Sequence, residues 1–280
     1  MMIYVLLFSY LPMYGIQLAF KDYRVADGIW GSAWVGLKHF KTFFESYQFT
    51  NLVWNTLALS LYSLIAEFPL PILFALFLNY ISSKKLKKFS QMVTYAPHFI
   101  STVVFCGMIL IFLASDGIIN QILMILGIDP VNFLSNPANF RHIYVWSGVL
   151  KGIGWGSIMY ISVLTSVGPE LHEAATVDGA TRFQRMLFID IPSIIPTMVI
   201  MLIMRTGEIM DVGFEKVFLL QNNINLDYSE IISTYVYKVG IQGGQFSYSA
   251  AISVFNNVRN LLLLLAVNTI ARRTSENSLW

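Results

Sequence analysis

This sequence predicts an all-α fold that crosses a membrane several times, and three observations predict it. Of 280 residues, 56% are hydrophobic and only 12% are charged, with a mean hydropathy of +0.62; soluble domains carry about 25% charged residues. Apolar runs long enough to span a bilayer, about 20 residues each, occur six times. Between them the basic residues are packed densely into alternate connections, which is the charge signature of cytoplasmic loops.

The six spans fall at about residues 1–20, 53–81, 90–114, 143–166, 193–213 and 248–270. The first run, MMIYVLLFSYLPMYGIQLAF, has no basic start and no A-x-A site, so it reads as a spanning helix rather than a cleavable signal peptide. After the second span comes SSKKLKKFS, with Lys84, Lys85, Lys87 and Lys88 close together. Arg182 and Arg185 follow the fourth span, and Arg272 and Arg273 follow the sixth. All three groups lie on one side, which places both termini in the cytoplasm. On the opposite side, residues 34–49 put Leu37, Phe40 and Phe44 on one helical face, as in a short helix lying at the outer headgroups. A second outer segment, 214–247, ends in QGGQFSY, whose Gly243 and Gly244 signal a sharp turn.

No phosphate loop, GxSxG elbow, HExxH pair or Cys/His cluster occurs, so neither an ATP site of that kind nor a metal site is expected. Cys106 sits in an apolar run and reads as a small hydrophobe. His39, His98, His142 and His172 share no ligand spacing.

Charges inside spans are costly and face a bundle interior or a watery path. Here they are Glu67, Lys151, Arg205, Glu208, Asp211 and Arg259. At 100° per residue, Ser249, Ser253, Asn256 and Asn260 fall within about 60° of one another, with Asn257 and Arg259 on either side. That stripe reads as the lining of a substrate path, to which Arg205 and Glu208 are candidate contributors. Interhelical hydrogen bonding is the competing reading for the stripe, and an Arg205–Glu208 ion pair for those two. Gly148, Gly152 and Gly156, with Gly154 between, read as a close helix–helix contact.

One segment is unlike its surroundings: EAATVDGATRFQRMLFIDIP, Glu173 to Pro192, lying between the fourth and fifth spans. It reads as a short helix, a turn at Gly179 and a second helix, protruding below the membrane. Pro192 is placed to open the next span.

These residues resemble a known family. Glu173-Ala174-Ala175, Gly179, Ile189, Ile191 and Pro192 follow the spacing of the E-A-A…G…I-x-L-P motif, with Ile191 where leucine is usual. The motif marks permease subunits of binding-protein-dependent ABC importers. The stretches LPMYGIQLAFKDY, WVGLKHF, YAPHFIS, VGFEKVFLL and QGGQFSYSAA resemble the LplB-type sugar permeases of the maltose-permease superfamily. The resemblance implies a type I importer permease fold, one transmembrane domain over 1–280 with its core at about 50–270, in a bacterial cytoplasmic membrane. It implies that Glu173, Ala174, Ala175, Gly179, Ile189 and Pro192 form the coupling element that docks on an ATPase subunit. It further implies a homologous second permease, an ATPase dimer carrying ATP and Mg, an extracellular solute-binding protein and a carbohydrate substrate. This chain itself would bind no cofactor and catalyse nothing. Two other classes stay open: an ion-coupled secondary transporter, with Glu67 near Pro69 and Pro71 as its candidate carboxylate, and a membrane enzyme acting on lipid-linked sugars.

Overall fold

The structure is a computed structural model and describes residues 2–207 and 213–274. It is a helical bundle, with one two-residue strand pair at its outer end. Helix α1 covers Ile3–Phe20, continuous but of mixed turn type, with Pro12 near the start of its tighter half. Strands β1 (Lys21–Asp22) and β2 (Ala33–Trp34) then pair antiparallel. Helix α2 is Lys38–Phe44, and α3 is Phe49–Asn79, a single long span with Pro69 and Pro71 in it.

The expected third span is not one straight helix. Helices α4 (Lys84–Phe99) and α5 (Thr102–Phe112) meet at an angle of 105°. The reason is local: Pro97 forces a tight turn, Ile100 is extended, and Ser101 caps α5 by accepting from the Val104 amide. Helix α6, Asn139–Ser166, has 28 residues and is about 42 Å long at 1.5 Å per residue, ample for a span. It packs against α3 and α4 and buries Val145, Val149, Tyr160 and Leu164, so its lower hydropathy fits a central helix that meets protein rather than lipid. By length and hydropathy, four helices among the described residues qualify as spans, five if the bent pair is counted.

Helix α7 is Pro169–Val177 and α8 is Arg182–Thr206. The second helix of the polar segment is therefore not separate: it is the base of the fifth span. Pro192 does not open that span but sits inside it, immediately after a π-helical turn at Met186–Asp190. A wider turn accommodates a residue that lacks an N–H without ending the helix. Later in the chain come α9 (Phe214–Leu220), α10 (Ile232–Tyr237, continued by a π turn at Lys238–Gln242) and α11 (Phe246–Thr274), and shorter helices at Gly28–Gly31, Ile118–Ile125 and Leu226–Ser229 lie in the connections.

Glycines set the distances inside the bundle. A Cβ on Gly154 would run into the Thr94 carbonyl of α4, one on Gly156 would press on Pro71 of α3, and one on Gly148 would strike the Glu67 carboxylate. Gly152 faces open space, so it does not share the packing role expected of the stripe. The outer helix α2 packs on the bundle through a residue outside the Leu37–Phe40–Phe44 face. Its buried anchor is Phe43, packed with Leu52, Ile232 and Ile252, while Leu37 and Phe44 are exposed. The aromatic run K-x-F-x-x-F-F presents its second phenylalanine inward because α11 lies on that side.

Asn55 ties the outer segment to the second span. Its amide donates to the carbonyls of Asp227 and Glu230, at 2.8 and 3.1 Å, and accepts from Arg141 at 2.8 Å. These bonds saturate a buried amide inside a span, where an unmet polar group is expensive.

Candidate functional site: a protruding helix pair and a polar cavity

Two regions carry the functional signal. The first is the helix pair α7–α8. Helix α7 starts at Pro169, pre-set for a first helical position, with Glu170 in the turn where a negative charge is favoured. It ends in a Schellman turn: Ala180 N–H donates to Ala175 at 2.8 Å while Gly179 adopts φ +82°. Thr181 and Gln184 then form a capping box that starts α8. The sequence D-G-A-T-x-x-Q thus fixes both the stop and the restart.

At 100° per residue, Glu173, Ala174 and Val177 share one face of α7, and all three are exposed, Val177 at 88%. His172 and Thr176 lie on the other side, toward the bundle. Arg185 donates to Thr176 Oγ1 at 2.8 Å and reaches the His172 carbonyl at 3.5 Å. Ala175 and Ile189 are half-buried, whereas Gly179 and Pro192 are exposed. A cavity of about 760 Å³ opens between α7 and the ends of α3 and α6, bordered by Tyr80, Val167 and His172.

The second region is a cavity of about 350 Å³ between α10 and α11. Ser253, Asn256 and Asn257 of the predicted stripe line it, joined by Ser249. Residues from the outer segment form its other wall and were missed in the sequence, among them the aromatic and polar Phe214, Ser233 and Tyr237 beside the apolar Ile232, Val236 and Ile241. Their signal was faint, a S-T-Y-V-Y run whose turn onto α11 depends on Gly240. That glycine faces Ser249 so closely that a Cβ would collide with it.

Arg259 donates to Asn256 Oδ1 and lies over the Phe255 ring, 5.4 Å from its centroid. Its Nε and Nη1 are buried, with no hydrogen-bond partner among the described residues, as are Ser233 Oγ and Asn260 Oδ1. Neither Arg259 nor Asn260 lines the cavity itself. Arg205 lies apart from it, paired with Glu67 Oε2 of α3 at 3.3 Å. Glu208, its other candidate partner, lies outside the described residues, as does Asp211. The cavity presents hydroxyls and amides beside aromatic rings, a surface suited to hydroxylated solutes. A larger cleft of about 850 Å³ lies near α2 and the start of α11, bordered by Asp22, Lys38, Tyr47 and Tyr248.

A bundle of apolar helices with a capped helix pair and an open cavity edged by hydroxyls, amides and rings fits a membrane transport component. Residues 68–276 match the family described as "Binding-protein-dependent transport system inner membrane component", and the chain belongs to that family. It is 42% identical over 279 residues to the polygalacturonan/rhamnogalacturonan transport system permease protein YteP of Bacillus subtilis (strain 168), covering 99% of this chain and 87% of that one. It is 39% identical over 280 residues to the protein LplB of the same organism, covering 100% and 88%. Its fold matches a permease chain in the crystal structure of a bacterial ABC transporter that imports the acidic polysaccharide alginate, with TM-score 0.90, 41% identity, and 98% and 92% of the two chains covered. A second structure of a bacterial alginate ABC transporter, in complex with an alginate-pentasaccharide-bound periplasmic protein, matches with TM-score 0.91 and 40% identity over 99% and 93%.

Proposed function

We propose that this chain is one of two permease subunits of an ATP-driven, binding-protein-dependent importer, and that it forms half of the path for a carbohydrate, an oligosaccharide or polysaccharide fragment. The carrying observation is that one chain holds both an outward-facing Glu173–Ala174–Val177 surface on a rigidly capped helix and a polar, aromatic-edged cavity between its last helices. Small side chains allow a partner's surface to approach the α7 backbone closely, and Glu173 offers it a charge. Glu173, Ala174, Ala175, Gly179, Ile189 and Pro192 take the coupling role, with ATP and Mg held by a separate ATPase dimer. Ser253, Asn256 and Asn257 contact the sugar, and Arg259 and Asn260 support them from the same helix. A homologous permease and an extracellular binding protein complete the assembly.

In this reading the whole chain, 1–280, is a single transmembrane domain with six spans and both termini in the cytoplasm. The bent pair α4–α5 counts as the third span and α6 as the fourth. The chain turns over no substrate chemically. YteP is named for polygalacturonan and rhamnogalacturonan transport and the matched structures are of alginate transporters, which supports a substrate derived from a polysaccharide. The ion-coupled alternative loses its candidate: Glu67 is engaged by Arg205 and packed on Gly148 rather than presented to a solvent path.

The test is co-purification and liposome assays with all subunits. Glu173→Ala combined with Gly179→Phe is expected to insert and pair normally but to lose the ATPase subunits and stimulated hydrolysis. Wild-type ATPase binding and uptake by this variant would refute the coupling assignment.

A further inference from the structure

The Asp190 carboxylate is fully buried at the base of α8. Tyr80, at the end of α3, donates its hydroxyl to Oδ2 at 2.6 Å. His172 of α7 brings Nε2 to 3.3 Å from Oδ1, within ion-pair range but not aligned as a hydrogen bond. Three separate segments therefore converge on one carboxylate: the end of the second span, the protruding helix and the base of the fifth span. The π turn at Met186–Asp190 is what aims Asp190 inward. A buried carboxylate persists only where partners hold it.

We propose that Asp190 is a positioning residue for energy coupling: through His172 and Tyr80 it makes α7 and the cytoplasmic ends of α3 and α8 move as one body. It touches neither sugar nor ATPase. The inference rests on the coupling role given to α7 and adds the means by which displacement of that helix reaches the spans. Among the described hydrogen bonds and ion pairs no other group joins all three, although Arg185 lies close enough to Tyr80 to act on it electrostatically. Arg185 links α7 to the base of α8 through Thr176, but makes no described bond to α3. Without the carboxylate, α7 stays attached to α8 and detaches from the second span.

The readout is sugar imported per ATP hydrolysed, in liposomes holding the full complex with its binding protein. Asp190→Asn and, separately, Tyr80→Phe are expected to keep the ATPase subunits bound and hydrolysing. Import per ATP should fall about tenfold, the weight of one hydrogen bond to a charged group. The double variant should be no worse than Asp190→Asn alone, because both act through one contact. Tyr80→Phe keeps the ring and removes one oxygen, so it reports even where Asp190→Asn fails to assemble. An unchanged ratio in assembled Tyr80→Phe, or import and hydrolysis falling in equal proportion, overturns the proposal and assigns the cluster to packing alone. The coupling role itself is read separately, from ATPase co-purification with Glu173→Ala and Gly179→Phe. Loss of ATPase there with an unchanged ratio here would overturn the positioning role and leave that reading standing.

Discussion

The Arg205 guanidinium reaches Glu67 Oε2 at 3.3 Å, joining the fifth span to the second across 138 positions of sequence. Glu67 sits just before Pro69, where the helix loses an N–H donor, and its other oxygen lies against Gly148 of the central helix. A larger residue than glycine at 148 would push this carboxylate away from α6. Removing either charge is expected to cost about 1.5–3 kcal/mol, the range for hydrogen bonds to charged groups. The swap Glu67→Arg with Arg205→Glu should recover part of it. Thermal unfolding of the purified complex in detergent measures this, and single and swapped variants with equal stability would show that the pair contributes nothing.

Neighbouring glycines on α6 separate packing from composition. Gly154→Leu should part α4 from α6, because its Cβ has no space beside the Thr94 carbonyl. Gly152→Leu should be tolerated, because open space surrounds that position. Overpacking typically costs about 1–3 kcal/mol, against near neutrality for an exposed change. Expression and melting temperature of the two variants decide it; equal loss in both would refute the contact.

Much of this was legible in the sequence, and the exceptions have physical reasons. Apolar runs located the spans because a bilayer demands them, and D-G-A-T fixed the turn because φ +82° at Gly179 suits glycine. The break between α4 and α5 was hidden because apolar residues on both sides of it, Phe99 and Ile100 before and Val103 and Val104 after, keep the run looking like one span while the backbone turns. The anchoring role of Phe43 was not legible because one helix cannot reveal which side α11 will cover. Half of the cavity, Ser233 and Tyr237, comes from a segment whose polarity resembles any outer loop. Its contribution depends on a tertiary contact at Gly240. The Asp190 cluster was invisible for the same reason, since Tyr80 and Asp190 are 110 positions apart.

Topology follows from the lysine cluster. Leu86 and Ile125 are exposed, at 52% and 84%, and the native Cys106 is buried, so introduced cysteines report without background. Leu86→Cys is expected to be shielded from an impermeant reagent in intact cells, and Ile125→Cys to react. Labelling only at residue 86, or equally at both, would overturn the six-span arrangement.

The path assignment makes the last prediction. Asn256 lines the cavity and also accepts from Arg259, whose remaining N–H groups have no described partner. Asn256→Leu therefore removes a sugar contact and leaves the arginine without its side-chain acceptor. Uptake should fall at least about tenfold, one charged hydrogen bond's worth, while the permease pair and its ATPase still co-purify. Gly240→Ala attacks the same cavity from the other wall. The new methyl meets the Ser249 side chain and pushes the π turn of α10 off α11, changing the cavity without touching Asn256. Ser249→Gly added to Gly240→Ala removes the colliding side chain and should restore uptake, whereas Ser249→Gly added to Asn256→Leu should not. Binding-protein-dependent uptake of oligosaccharides in reconstituted liposomes distinguishes the two. If Asn256→Leu transports normally while the complex falls apart, the stripe holds helices together and lines no path.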